Sequence, residues 1–180
     1  MPYEPPAELA ALSLAQIAEA VAARRLLPLA EWSPGQQGDS LMRIAADGRW
    51  YHEGSEITRP AMIRAFSALL VREGAEHFLL TPVQKLSIAV EDAPFIAVDV
   101  ARKGADLAFR LNTDELVVAG PEHPLRAAGS EDAPALYLGV RDGLEARLDR
   151  STWLQLAEIA LAEGDGWHVA SGGARFALNP

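Results

Sequence analysis

The sequence predicts an α+β fold in which an antiparallel β meander, or partial barrel, is flanked by two copies of a β-hairpin–helix–strand motif. Apolar residues recur at every second position in the stretches 86–90, 96–100 and 107–111, the period of strands with one buried face. Asp-Gly dipeptides, which favour tight hairpin turns, occur at 47–48 and 142–143. The order hairpin, helix, strand occurs twice, over 41–80 and 136–170. We therefore expect two lobes built around a duplicated unit.

The composition is that of a globular protein and narrows the classes of partner. Of the 180 residues, 49% are hydrophobic and 23% are charged, which is enough to form a sizeable core. The net charge of −9 argues against DNA, RNA and anionic membranes, because binding to these requires a basic surface. The absence of cysteine excludes disulfides, thiolate catalysis and Cys-ligated zinc. We recognise no signal peptide or membrane span and expect a cytoplasmic protein.

The first 40 residues are predicted to form a Pro-rich arm at 1–12, a helix at 14–26 and a linker at 33–40. Ser13 and Gln16 have the spacing of a capping box, which marks a helix start. Apolar residues at 14, 17 and 21 then share one helical face, and Pro28 stops the helix.

Residues 41–80 form the predicted N-terminal lobe, which is the first copy of the motif. Strands at 41–46 and 49–53 flank Asp47-Gly48, a dipeptide that favours a type I′ turn. A helix over 60–72 ends at Glu73-Gly74, and a strand at 77–80 completes the copy.

The predicted C-terminal lobe, residues 81–180, contains the meander and the second copy. The meander strands are 86–90, 96–100 and 107–111, joined at hairpin-length turns. Residues 120–125 and 126–135 are predicted as loops. The second copy comprises strands 136–140 and 144–148, a helix at 150–162 and a strand at 167–170.

The two predicted helices of the copies share their first-turn chemistry. A shift of 91 residues superposes five apolar positions and places Thr58-Arg59 on Asp149-Arg150, each an N-cap residue before an arginine. A cation at a helix start opposes the helix dipole. We therefore expect Arg59 and Arg150 to have partners, either carboxylates at the edge of the core or a ligand.

No standard catalytic motif is present. The segment 35–40 lacks the lysine of a phosphate loop, no Gly-x-Ser-x-Gly elbow occurs, and the four histidines lack metal-ligand spacing. The adjacent acids Glu91-Asp92 fit a solvated turn better than a metal or acid–base pair. We therefore predict neither metal nor cofactor, and a binding or regulatory module rather than an enzyme.

Two groups of polar residues could bind an anion. Lys85, Asp99, Arg110 and Asn112 lie opposite the apolar positions of the meander and suit a phosphate or carboxylate, or else form a solvated face with an ion pair. The run His123-Pro124-Leu125-Arg126 is either a stiff binding loop or an ordinary connection.

Several runs resemble the bacterial DUF1285 family, whose name denotes a domain of unknown function. They include 50–54 (Trp-Tyr-His-Glu-Gly), 90–95 (Val-Glu-Asp-Ala-Pro-Phe) and 123–126 (His-Pro-Leu-Arg), and the resemblance extends from residue 14 to the C-terminus. It implies two lobes with a duplicated motif, the C-terminal one loosely like a pleckstrin-homology barrel. It also implies a nucleotide-like ligand between the lobes and a place in signal transduction, without catalysis. Gln84, where the family pattern has Glu, and Ala170, where it has an aromatic residue, depart from it.

The predicted ligand site is a groove between the lobes. Its lining is Lys85, Arg110, Asn112, His123, Arg126 and Arg141, with Trp50 available to stack on a flat ring. Cations gathered there in an acidic chain would attract a small anionic or nucleotide-like ligand. Alternatively, Arg126 and Arg141 pair with acids such as Glu91, Asp92 or Glu145.

Two other function classes stay open at this point. One is an enzyme that uses His123 or His52 as general acid–base while Arg126 holds an anionic metabolite. The other is an interaction scaffold for a protein partner in signalling, which would show a large exposed apolar patch.

Overall fold

A computed structural model describes residues 8–23 and 26–180. Most of the predicted Pro-rich arm and residues 24–25 of the predicted first helix lie outside the described residues. The helical elements are 3₁₀ turns at Leu9–Ala11 and Leu29–Glu31, and helices α1 (Leu14–Ala23), α2 (Pro60–Ser67) and α3 (Arg150–Glu163). In the described part of the chain, no helix combines the length and apolar character needed to cross a bilayer.

Fourteen strands account for most of the regular structure in the described residues. They are β1 (Gln36–Ile44), β2 (Trp50–His52), β3 (Ser55–Ile57), β4 (Leu70–Glu73), β5 (Glu76–Leu80), β6 (Gln84–Val90), β7 (Phe95–Lys103), β8 (Asp106–Leu111), β9 (Leu116–Val118), β10 (Leu125–Gly129), β11 (Pro134–Arg141), β12 (Leu144–Leu148), β13 (His168–Ser171) and β14 (Ala174–Ala177). They form two six-stranded sheets, one of which curls into a half-barrel, and the separate pair β13–β14.

The described residues divide into two compact units. The first unit contains residues 26–94 and 142–144, and the second contains 8–23, 95–141 and 145–180. The division that we predicted at residue 80 differs, because β6 pairs with β1 and β5 and so belongs with the first sheet.

The first sheet has the strand order β3-β2-β1-β6-β5-β4. Its central pair, β1 and β6, is parallel, and the pairs on either side are antiparallel. Ile44 and Trp50 are fully buried on one face, where Trp50 stacks on Phe66 of α2 with ring centroids 6.4 Å apart. The apolar face of α2 therefore covers the tryptophan end of the sheet.

The second sheet has the order β10-β11-β12-β7-β8-β9, again with a parallel central pair, β7 and β12. Leu9 and Ile17 of the N-terminal segment are fully buried with Ala108 of β8. The predicted capping box of α1 is confirmed, because the Ser13 amide donates to Gln16 Oε1 at 2.8 Å and the Gln16 amide donates to Ser13 Oγ at 3.1 Å. Of the predicted face of α1, Ile17 is buried, whereas Leu14 and Val21 are exposed.

The two sheets share one strand order, which supports the predicted duplication in a modified form. Strands β1 to β6 correspond in sequence order to β7 to β12. The helix differs, because α2 lies between the third and fourth strands of its set and α3 follows the sixth. The predicted superposition of 41–80 on 136–170 therefore needs correction, since β4 returns to the first sheet whereas β13 pairs with β14.

The predicted meander is wrong at its first turn. Residues 91–94 connect two different sheets, and the antiparallel meander is instead β7-β8-β9. Lys85 therefore cannot share a sheet face with Asp99, Arg110 and Asn112. In addition, a register shift between Ala97 and Asp99 leaves Val98 exposed, although the simple alternation placed it in the core.

Other boundaries also differ from the predictions. The supposed linker contains the start of β1, the helix predicted over 60–72 ends at Ser67 and is followed by β4, and the loops predicted after residue 120 contain β10. The turn at Asp47-Gly48 is not type I′, because only Gly48 has a positive φ. Both central residues do have positive φ at Glu53-Gly54, where β2 turns into β3, which is the type I′ signature.

Candidate functional site

The residues of the predicted site are distributed over both units. Trp50 and Lys85 belong to the first unit, and Arg110, Asn112, His123, Arg126 and Arg141 belong to the second. Trp50 is fully buried and stacked on Phe66, so it does not present a free face for the flat ring that we predicted it would hold.

Lys85 has an acid partner. Its Nζ lies 2.6 Å from Glu73 Oε2 and 4.4 Å from the centre of the Phe78 ring. This ion pair and cation–π contact account for the charge of Lys85 within the first sheet.

Arg126 and Arg141 also contact carboxylates. Arg126 donates from Nε and Nη2 to the two oxygens of Glu145, both at 3.0 Å, and its guanidinium lies 4.5 Å from the centre of the Tyr137 ring. Arg141 Nη1 lies 3.0 Å from Glu115 Oε2, and their side chains are only 12% and 8% exposed. The alternative of paired arginines is therefore observed, with Glu145 as one of the anticipated acids and Glu115 as one that we did not name.

Asn112 and Arg110 occupy positions within the second sheet. The side-chain oxygen of Asn112 accepts from the Ile96 amide at 3.0 Å, and the Asn112 amide donates to Ile96 O at 2.8 Å. Arg110 lies opposite Asp99 in the pairing of β7 with β8. The Asn112 contacts hold the end of β8 against β7, which is a structural use of that side chain.

His123 anchors the loop that precedes β10. Its Nδ1 lies 3.1 Å from Gly139 O, and since a carbonyl only accepts, Nδ1 carries the hydrogen. The Gly139 amide donates to Pro124 O at 2.9 Å, and a Cβ at residue 139 would come within 2.8 Å of the Pro124 ring. The loop thus packs tightly against a glycine.

Glu91 likewise has a structural role. Its carboxylate accepts from Arg43 Nη1 at 2.5 Å and from the Ala46 amide at 2.9 Å. These bonds fasten the turn after β1 to the segment after β6, which favours the solvated-turn interpretation over a metal or acid–base pair. Among the described residues, no group of three or more His, Asp or Glu side chains is placed to hold a metal ion.

Two arginines that we expected to have partners contact no carboxylate among the described residues. Within residues 8–23 and 26–180, the side chains of Arg59 and Arg150 form no hydrogen bond, ion pair or ring contact. Both are exposed and flank the first turn of a helix. The sequence drew attention to both positions because a cation at a helix start opposes the helix dipole.

Arg59 lines a cleft, of which Arg150 is not part. The cleft has a volume of about 270 Å³ and lies within the first unit. Its lining is His52, Ser55, Glu56, Ile57, Thr58, Arg59 and Met62. In the described structure, the side chains of His52, Ser55 and Thr58 also form no hydrogen bond.

The position of the cleft follows from strand alternation in β2 and from the start of α2. Trp50 and His52 lie on one face of β2, because side chains two residues apart in a strand point the same way. α2 covers Trp50 through Phe66. α2 begins at Pro60, and the residues before it, with His52 and Ser55 at the end of the β2–β3 hairpin, surround the opening.

The electrostatics of the cleft are set by Arg59 and Glu56. The Glu56 carboxylate lies 3.8 Å from Arg49 Nε, outside the lining, so its charge is shared with another cation. The charge of Arg59 has no such partner in the part of the chain that the structure describes. α2 also begins without a side-chain cap. The lining thus contains several hydrogen-bond donors, one cation, Arg59, and one carboxylate, Glu56.

Comparison with known proteins establishes the family. The model of the DUF1285 N-terminal domain matches residues 27–93, and that of the DUF1285 C-terminal domain matches residues 94–178. The chain belongs to the DUF1285 family. The boundary between the two domain matches lies close to the division between the two compact units of the structure.

Two DUF1285 crystal structures resemble the chain. One, from Silicibacter pomeroyi DSS-3, is 41% identical, covers 93% of this chain and 94% of its own, and has a TM-score of 0.76. The other, from Shewanella baltica OS155, is 27% identical, covers 66% of this chain and 91% of its own, and has a TM-score of 0.55. Among curated proteins, no match was found.

Proposed function

We propose that this DUF1285 protein is a small-molecule binding and regulatory module whose first unit binds an anionic ligand in the Arg59 cleft. The observation that supports it is the contrast among the cations. Lys85, Arg126 and Arg141 contact carboxylates, whereas Arg59 lines a cleft without an acid partner among the described residues. An anion placed there would satisfy Arg59 in a chain that otherwise repels anions by its net charge.

The side chains around Arg59 suit an oxyanion. The hydroxyls of Ser55 and Thr58 can donate, and guanidinium forms strong paired hydrogen bonds with carboxylate and phosphate groups. α2 adds a weaker favourable term, because its N-terminal end is positive. Together these groups favour a small anion over a neutral ligand.

In this proposal the cleft binds a ligand and does not convert it. Ser55 and His52 both line it, yet no hydrogen bond joins them in the described structure, so a nucleophile and base are not assembled. A place in signal transduction belongs to the same proposal, since a binding module without catalytic machinery acts by reporting its ligand. The order of the second unit, six sheet strands followed by α3, supports a loose pleckstrin-homology likeness.

Thermal-shift measurements with a panel of phosphorylated and carboxylated metabolites test the proposal, because a ligand that binds only the native state raises the melting temperature. We expect a shift for the wild type and for Arg150→Ala, which removes the matching exposed arginine outside the cleft. We expect the shift to disappear in Arg59→Ala. A shift that survives Arg59→Ala but is lost in Lys85→Ala or Arg126→Ala would refute this cleft and favour the residues predicted from sequence.

A further inference from the structure

We infer that the exposed face of α3 is an interface at which two copies of the chain form an antiparallel dimer with two-fold symmetry. This inference goes beyond the proposed function, because α3 belongs to the second unit and forms no part of the Arg59 cleft. Apolar spacing, unpaired charges and symmetry support it.

The outer face of α3 carries two leucines. Leu154 and Leu161 are 47% and 64% exposed. Single exposed apolar residues are common on protein surfaces, but these two are seven residues apart and therefore lie on one side of the helix. Leu156 and Ala160 are fully buried and already fix α3 to the second unit. The exposed leucines are thus available to a partner.

A tryptophan pair adds to the apolar surface of α3. Trp153, next to Leu154, stacks on Trp167 with ring centroids 6.3 Å apart. Trp167 is 43% exposed. Aromatic residues are enriched at protein interfaces relative to the rest of the surface. The apolar groups exposed on and against α3 are therefore of the kind that a protein partner covers.

Two unpaired charges flank Leu154 on the same helix. Arg150 lies four residues before it and Glu158 four residues after it, so each is about 6 Å away along the helix axis. Both are exposed, and within the described residues neither side chain forms an ion pair or hydrogen bond. Their positions are about 12 Å apart along the axis, which is too far for the two to pair with each other.

The order cation, leucine, acid is complementary to itself when it is reversed. In an antiparallel helix pair with its two-fold axis at Leu154, each Arg150 lies opposite Glu158 of the other copy, and the two Leu154 side chains pack together. One cation and one acid give this face no net charge, so it does not add to the repulsion between two chains of net charge −9. Symmetry supplies the whole arrangement, which favours a second copy over an unrelated protein.

Sedimentation equilibrium of charge-reversed variants tests the interface. We expect the wild type to dimerise as the protein concentration rises from micromolar to millimolar. Arg150→Glu and Glu158→Arg should each raise the dissociation constant about tenfold or more, because symmetry places each reversed charge against a like charge twice. An equimolar mixture of the two variants should dimerise again, because the two acids of one variant then face the two arginines of the other.

A variant at the axis and a matched control complete the test. Leu154→Glu places two carboxylates together and should abolish the dimer, whereas Val83→Glu, at an exposed valine of the first unit, should leave it unchanged. Thermal unfolding of the dilute variants checks that each is folded, and the mixture stays decisive if Leu154→Glu is not. A wild type that is monomeric at every concentration, a dimer that survives Leu154→Glu, or a mixture that stays monomeric would overturn the inference.

Discussion

The first turns of α2 and α3 have similar sequences, but only α3 is capped by a side chain. At α3, Asp149 is the N-cap and its carboxylate accepts from the Thr152 amide at 2.8 Å, as the sequence predicted. At α2, Thr58 was expected to cap, but the helix starts one residue later, with Arg59 at the N-cap and no side-chain bond.

The difference lies in what satisfies the positive end of each helix. The carboxylate of Asp149 satisfies the positive end of α3 from within the chain. An arginine cannot accept a hydrogen bond, so the start of α2 depends on water or on a ligand. The cleft beside Arg59 is where such a ligand would lie.

The largest expected effect is on the free energy of unfolding when an arginine that contacts a buried carboxylate is removed. Arg141→Ala would remove the Arg141 guanidinium from the carboxylate of Glu115, which is only 8% exposed, and losses of this type cost about 3–5 kcal/mol. Urea unfolding should therefore show a large fall in the free energy of unfolding. Arg59→Ala, the control, should change it by less than about 0.5 kcal/mol. A similar loss in both variants would show that Arg59 has a structural role.

The helix caps give the next effect. Asp149→Ala removes the side-chain acceptor of α3 and should lower the free energy of unfolding by about 1 kcal/mol. Thr58→Ala at the matching position should have little effect, because Thr58 does not cap α2. Thermal or urea denaturation of the two variants measures both values, and equal losses would mean that Thr58 caps α2 in solution.

Converting the start of α2 to that of α3 tests the comparison directly. Arg59→Asp places a capping carboxylate before Pro60 and should raise the free energy of unfolding by about 0.5–1 kcal/mol. It should also abolish the thermal shift caused by an anion, because the cation is replaced by an acid. Arg150→Asp, where Asp149 already caps, should stabilise less. A variant Arg59→Asp that still binds the anion would contradict the proposed site.

The smallest expected effect is the pH dependence of stability caused by His77 in the first unit. Burial, and then the positive charge of Arg72, lower the pKa of His77 below its ordinary value of 6.5. The unfolded state therefore takes up a proton before the folded state does, so stability should fall as the pH drops below about 6.5. Urea unfolding between pH 7.5 and 5.5 should show this decline in the wild type and a smaller one in His77→Gln. Equal slopes would contradict a role for His77.

A matching pH effect in the second unit lies at lower pH. A hydrogen bond from Arg175 lowers the pKa of the exposed Asp165 carboxyl below 3.8. Its contribution is present above that value and is lost only as the pH falls below it. The titration of Asp165 therefore does not contribute to the stability change expected between pH 7.5 and 5.5.

Local features of the fold were predictable from sequence, and distant pairings were not. The capping box at Ser13 and the cap at Asp149 depend on residues three apart, so their patterns sufficed. The alternation in 86–90 indicated a strand but not its partner, because β6 pairs with β1, far away in sequence. Parallel pairings of this kind leave no local signal.

The candidate site shows the same limit. Arg59 attracted notice because a cation at a helix start is unfavourable, and that argument is local. Whether Arg126 or Arg141 was free depended on where Glu145 and Glu115 lay, which only the strand order determines. The cleft itself lies between the start of α2 and the β2–β3 hairpin, and the sequence does not specify how these elements are placed together.

The parallel pair at the centre of each sheet has a consequence for folding kinetics. Hairpins such as β4–β5 form within microseconds, whereas joining Gln36 to Gln84 or Phe95 to Ala146 requires closure of a long loop. Until that closure, β1 and β7 each present an unpaired edge that can associate with another chain. We therefore expect central pairing to limit the folding rate. A chain truncated before β12 should aggregate, because β7 would lose the strand that protects it.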